Sequence, residues 1–131
     1  MSGFSFDSNI VIDALRGFVE ARIELERALS RGGGRLWVSR VVWIEVMSKG
    51  SADELRRAEK FLEGFGVDEV DAEIGVRAAA LRREQSRLKS MDAIILATAL
   101  TRGRVLVTRN TKDFPATMPG IRIPYVRPEL S

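Results

Sequence analysis

Phe4-Ser5-Phe6-Asp7-Ser8-Asn9-Ile10-Val11-Ile12-Asp13-Ala14-Leu15 runs from a three-residue apolar stretch into an apolar helical pattern, with Asp7 at the junction. Residues 4–6 read as a short strand and residues 8–16 as a helix that Gly17 stops. The same alternation continues along the chain. A second helix is expected at 18–30, with Phe18, Ala21, Leu25, Ala28 and Leu29 along one side, before Gly32-Gly33-Gly34 breaks it. Residues 36–38 form a second strand, and Ser39 is placed to cap a helix over 40–48. Ser51 or Asp53 caps the next helix, whose residues Leu55, Ala58, Phe61, Leu62 and Phe65 keep helical spacing until Gly64 and Gly66 end it. A third strand at 67–70 precedes a long helix over 72–88 capped by Asp71. Ser90 then caps a helix over 91–102, followed by strands at 105–107 and 121–123 and a loose tail over 124–131. Strands alternating with amphipathic helices predict an α/β fold with a central, mostly parallel sheet of about five strands flanked by helices.

The 131 residues form one domain, 1–131, large enough for a sizeable core. Apolar content of 45% and charged content of 30% match a water-soluble domain, and no apolar stretch is long enough to span a bilayer. No basic region leads into an apolar one at the N-terminus, so a cytoplasmic protein without a membrane partner is expected. The chain has no His and no Cys, which excludes zinc sites built from them and leaves carboxylates, hydroxyls, amides and bases to carry any chemistry. Such oxygen donors suit Mg²⁺ or Mn²⁺. The net charge is only +3, but most of the basic residues are Arg, which fits phosphate contacts and equally fits a solvated surface.

Four acids sit where an open α/β sheet binds ligands, outside the carboxyl ends of its strands. Asp7 follows the first strand, Glu45 projects from the helix after the second, and Asp113 ends the loop after the fourth. Asp92 opens the helix feeding the fourth strand, and local order alone does not place it. Each acid also has an ordinary reading. Asp7 can be a helix cap, Asp92 a first-turn residue that favours the helix dipole, and Asp113 a turn residue. Glu45 is harder to account for, because it lies within Val41-Val42-Trp43-Ile44-Glu45-Val46-Met47, where a buried carboxylate needs a partner.

Four stretches carry a family resemblance: Phe6-Asp7-Ser8-Asn9-Ile10-Val11-Ile12-Asp13, Ser39-Arg40-Val41-Val42-Trp43-Ile44-Glu45, Asp92-Ala93-Ile94-Ile95-Leu96-Ala97-Thr98-Ala99, and Val107-Thr108-Arg109-Asn110-Thr111-Lys112-Asp113-Phe114. In their order and spacing they resemble PIN-domain ribonucleases, and most closely the VapC-type toxins of toxin–antitoxin pairs. The resemblance implies a PIN-like three-layer sandwich in which Asp7, Glu45 and Asp92 match the family's first three acidic positions. Its fourth position falls on the amide Asn110, so Asp113 is left to supply the fourth carboxylate, and Thr108 matches a small hydroxyl position.

By this resemblance the chain is expected to be a Mg²⁺- or Mn²⁺-dependent endoribonuclease acting on RNA, in transfer or ribosomal RNA. Asp7 and Asp92 would hold the principal ion, with Glu45 and Asp113 completing the shell or holding a second. Arg109, Lys112 and Arg104 are candidates to guide the phosphate backbone, with Arg16 and Lys49 further off; a solvated basic loop explains them equally. The family also implies a homodimer and a cognate antitoxin. Trp43, Phe61 and Phe65 fit either a dimer face or the core. Three rivals remain. One is a catalytically inactive PIN-like module that binds RNA or protein. A nucleotide-binding domain lacks its G-x-G-x-x-G or G-x-x-x-x-G-K-[ST] loop here. A structure-specific DNA nuclease would need more chain.

Overall fold

A computed structural model of the chain describes residues 3–31, 33–115 and 117–127. The first strand, β1 (Phe4–Phe6), lies at the centre of a five-stranded sheet. It is followed by α1 (Ser8–Leu15), α2 (Val19–Arg31), β2 (Leu36–Ser39), α3 (Arg40–Met47) and α4 (Ala52–Leu62). Then come β3 (Phe65–Asp68), α5 (Ala72–Glu84), α6 (Ser90–Thr101), β4 (Val105–Val107) and β5 (Ile121–Arg122). The spatial order is β3-β2-β1-β4-β5, and every pairing is parallel.

Parallel strands need crossover connections, and right-handed crossovers leading to opposite sides of β1 place helices on opposite faces of the sheet. Both faces are then covered, which is why the strands read as continuous apolar runs. Phe6, Val38, Leu106 and Val107 are fully buried, joined by Ile10, Val11, Val42, Ile95, Leu96 and Phe114 from helices and loops. Truncating one of the aliphatic residues to Ala costs about 2–5 kcal/mol. The topology also creates a switch point. The connection from β1 leads to β2 on one side, while that from β4 leads to β5 on the other, opening a crevice at their carboxyl ends. Phe6 pairs with Val107 in register, so Asp7 and Thr108 emerge side by side there.

Local chemistry sets the helix starts. The Ser39 hydroxyl accepts from Val42 N at 3.1 Å, and Asp71 accepts from Ile74 N at 3.0 Å. Ser51, rather than Asp53, caps α4, in a reciprocal box with Glu54. Each such cap contributes about 1 kcal/mol.

Four expectations change. β3 starts at Phe65 rather than residue 67, because α4 ends at Leu62 and the Phe65 side chain packs in the core, edge-on to Phe6. Gly66 is a strand residue: a Cβ there would lie 2.4 Å from the Trp37 ring. α5 ends at Glu84 rather than 88, since Gln85 leaves helical geometry and the chain turns to bury Leu88. Ser90 is the first residue of α6, not its cap; Lys89 holds the cap position and makes no side-chain cap bond. The tail is not loose as far as Arg127. Tyr125 packs on Phe18 with ring centroids 5.3 Å apart, and the Arg127 guanidinium lies 4.3 Å over the same ring. Residues 128–131 fall outside the described residues. Phe65 belongs to the core, and Trp43 and Phe61 are half-buried against it.

Candidate active site

Asp7 leaves β1 in extended geometry and caps α1, so its ordinary role is real: Oδ1 accepts from Ser8 N at 2.8 Å. Its other oxygen faces the neighbouring strand. Oδ2 accepts from the Thr108 hydroxyl at 2.7 Å and from Asn9 Nδ2 at 3.4 Å. The Thr108 oxygen accepts in turn from Asn110 N at 3.0 Å and Asn9 Nδ2 at 3.3 Å. Asn110 then donates from Nδ2 to Asp113 Oδ2 at 3.1 Å, while its Oδ1 accepts from Asp113 N at 3.2 Å. One chain of hydrogen bonds therefore runs from Asp7 through Thr108 and Asn110 to Asp113. Asn110 and Asp113 act together at this corner, the amide orienting the carboxylate.

Glu45 reaches the crevice from α3 and Asp92 from the first turn of α6. Asp7, Glu45, Asp92 and Asp113 line a single open cleft of ≈ 450 Å³ together with Asn110 and Lys89. Glu45 Oε1 is buried and has no hydrogen-bond partner among the described residues; the Ser8 hydroxyl eases the Glu45 charge without making a well-formed bond to that oxygen. The acids feel one another. Burial pushes the Asp7 carboxyl up; the bonds from Thr108 and Ser8 counteract it and the Glu45 charge adds to it. Glu45 is raised by burial, and Asp92 adds to the rise. Asp92 is raised to about 6 by burial and by the charges of Asp7 and Asp113, with Lys89 opposing. Mutual repulsion of this kind calls for a counter-charge.

A divalent cation fits these donors. They are hard oxygens, and one of them, Glu45 Oε1, is buried without a partner among the described residues. Among the described residues, no three acids already stand close enough to hold an ion. The cleft offers the donors rather than a closed cage.

Residues 5–117 match the PIN domain family. The chain belongs to that family. Over 123 residues this PIN domain is 31% identical to Ribonuclease VapC19 of Mycobacterium tuberculosis, covering 91% of this chain and 97% of the relative. Its fold is similar to a chain of a toxin–antitoxin complex from Klebsiella pneumoniae, at 39% identity and a TM-score of 0.81, over 94% of this chain and 98% of the other. It is also similar to a chain of DNA-bound VapBC from Salmonella typhimurium, at 25% identity and a TM-score of 0.74, over 93% and 96% of the two chains. The resemblance carried by the four sequence motifs holds over nearly the whole PIN domain.

The basic residues distribute differently from the expectation. Arg104 does not join the cleft: its guanidinium pairs with buried Asp68 at 2.7 and 2.9 Å and lies 3.6 Å over the Trp37 ring. Arg109 stands beside the cleft, yet its side chain turns to Asp13, with Nε 2.7 Å from Oδ2. Lys112 is exposed, and its carbonyl accepts from Arg87 Nη2 at 2.6 Å. Arg16 and Lys49 line a neighbouring groove of ≈ 180 Å³ that shares Glu45 with the cleft. Sequence reasoning missed Lys89 and Asn9 in the cleft, and Asp13 behind it. Lys89 sits on the rim, three residues before Asp92, a spacing that one helical turn could have suggested. Asn9 braces Asp7 and Thr108. Asp13 is buried inside the first motif, where an acid among apolar residues was the available signal.

Proposed function

We propose that this PIN domain is a divalent-cation-dependent endoribonuclease, the toxin of a toxin–antitoxin pair. The observation that carries the reading is the meeting of Asp7, Glu45, Asp92 and Asp113, delivered by four separate elements, in one cleft at the sheet's switch point. Asp7 and Asp92 would hold a Mg²⁺ or Mn²⁺ ion, with Glu45 and Asp113 completing its surroundings. A cation held there would lower the pKa of water and offset charge on a phosphodiester.

The chain's own residues do the rest. Thr108 and Ser8 N hold the Asp7 carboxylate at a fixed orientation, and Asn110 does the same for Asp113. Lys89, on the rim, draws the RNA backbone toward an otherwise acidic cleft. The chain has no His to pair with a 2′-hydroxyl, so attack by water is expected to leave 5′-phosphate and 3′-hydroxyl ends. The similarity to a chain of the Klebsiella toxin–antitoxin complex supports a toxin role and an antitoxin partner, and a homodimer is proposed from the family resemblance alone. Transfer or ribosomal RNA is the proposed substrate.

The test is incubation of EDTA-stripped protein with total cellular RNA, with and without Mn²⁺, beside Asp92→Asn. Discrete cuts bearing 5′-phosphates, present only with metal and lost in the variant, are expected. Metal binding without cutting of any RNA would favour the inactive binding module.

A further inference from the structure

Asp13 is a buried carboxylate that the proposed chemistry does not use. Its side chain is 1% exposed, and it gathers three groups distant in sequence. Oδ2 accepts from Arg109 Nε at 2.7 Å and from the Tyr125 hydroxyl at 2.9 Å. Oδ1 accepts from Arg127 Nη1 at 2.8 Å and from Arg109 Nη2 at 3.4 Å. These partners lie 96, 112 and 114 residues further along the chain.

An arrangement of this kind seldom adds net stability over well-packed apolar side chains, because desolvation offsets most of the attraction. What it does supply is fixed geometry. Arg109 stands between Thr108, which donates to Asp7, and Asn110, which donates to Asp113. The Arg109 N–H reaches Asn9 Oδ1 at only 3.4 Å, and its carbonyl accepts from Thr111 N at 3.1 Å within the loop itself. Main-chain bonds hold the two ends of the loop, Thr108 N to Arg122 O and Phe114 N to Asn110 O, and the side-chain clamp ties the residue between Thr108 and Asn110 to α1.

We propose that Asp13 is a positioning residue: by clamping Arg109, with Tyr125 and Arg127 closing the other side of the clamp, it fixes the 108–113 loop so that Asn110 and Asp113 face the cleft. The C-terminal segment thereby becomes part of the active-site support. This inference rests on the nuclease reading for its kinetic consequence but not for its structural one.

Two variants test it. Asp13→Asn removes the charge that holds both guanidiniums. The pair Tyr125→Phe and Arg127→Gln releases the tail while leaving the Arg109–Asp13 contact, and it serves if Asp13→Asn fails to fold. Hydrogen exchange on metal-free protein should quicken at amides 109–113 in each variant, with the amides of β2 and β3 unchanged. In Mg²⁺, kcat on RNA should fall roughly ten- to hundredfold for Asp13→Asn and less for the tail variant, with KM held within about threefold.

Exchange that quickens evenly across the sheet would reduce Asp13 to general structural support. A variant that shifts KM alone would show Arg109 acting on RNA directly. Unchanged exchange at 109–113 would overturn the clamp outright. If the wild type cuts no RNA, the nuclease reading falls, and the exchange comparison still decides the clamp.

Discussion

Asp7 and Thr108 are 101 residues apart in sequence, yet the Thr108 hydroxyl donates to Asp7 Oδ2 at 2.7 Å with both residues buried. The bond closes the switch point between β1 and β4. Thr108→Val keeps the shape and removes the donor, leaving a buried carboxylate oxygen short of its strongest partner. Urea unfolding at pH 7 should show a loss of about 1–3 kcal/mol, and Thr108→Ser should recover most of it.

Asp92→Asn should stabilise the metal-free protein. The Asp92 carboxyl titrates at about 6 when folded, above its ordinary 3.8, so its ionisation opposes folding. That penalty is absent below pH about 4, grows as pH rises, and is complete above about 6. At pH 7 the substitution should therefore add on the order of 1–2 kcal/mol, solvent screening at this half-buried group reducing the full effect, and at pH 4 nearly nothing. With Mn²⁺ at about 100 times its Kd the order should reverse, because the wild type alone gains about 2.7 kcal/mol from binding. Thermal melts at both pH values, with and without Mn²⁺, check both signs.

Asp13 has the opposite sign. Burial pushes its carboxyl up, but bonds from Arg109 and Tyr125 and the charges of Arg109 and Arg127 outweigh burial and bring it below the ordinary value. Its stabilisation is present above the unfolded carboxylate range and is lost as pH falls through the lower folded value. Glu24, which accepts from Arg122 at 2.8 and 3.0 Å and ties β5 to α2, behaves alike. Acid unfolding of Asp13→Asn should be shallower than that of the wild type, as followed by circular dichroism from pH 5 to pH 2.

Lys89→Met should weaken RNA binding a few-fold while leaving the fold intact. The plot of log affinity against log salt should flatten by about 1, the signature of one lost phosphate contact. Filter binding of RNA to an Asp92→Asn background measures affinity without cleavage. An unchanged slope would mean that Lys89 only tempers the Asp92 charge.

What could be read from the sequence was local. Ser39 and Asp71 announced their helices, and the Asp7 and Glu45 positions followed from strand-then-helix order. Asp92 lay beyond that logic, because its element precedes β4 and only the tertiary path of α6 brings it to the switch point; the family motif supplied it. Phe65 misled because its spacing from Phe61 fits a helix as well as the core contact it makes from β3. The pairing of the arginines was illegible for a different reason. Arg104 and Arg109 find Asp68 and Asp13 at separations of 36 and 96 residues, and no local pattern encodes such partners. Proximity in sequence to the acids said where these arginines start and nothing about where their guanidiniums end.

Crystals of the wild type grown with Mn²⁺ and measured at the manganese absorption edge test the account at its centre. An anomalous peak bound by carboxylate oxygens of Asp7 and Asp92, with Glu45 or Asp113 nearby, is the predicted result. Manganese absent from this cleft, or seated elsewhere on an otherwise unchanged protein, would contradict it.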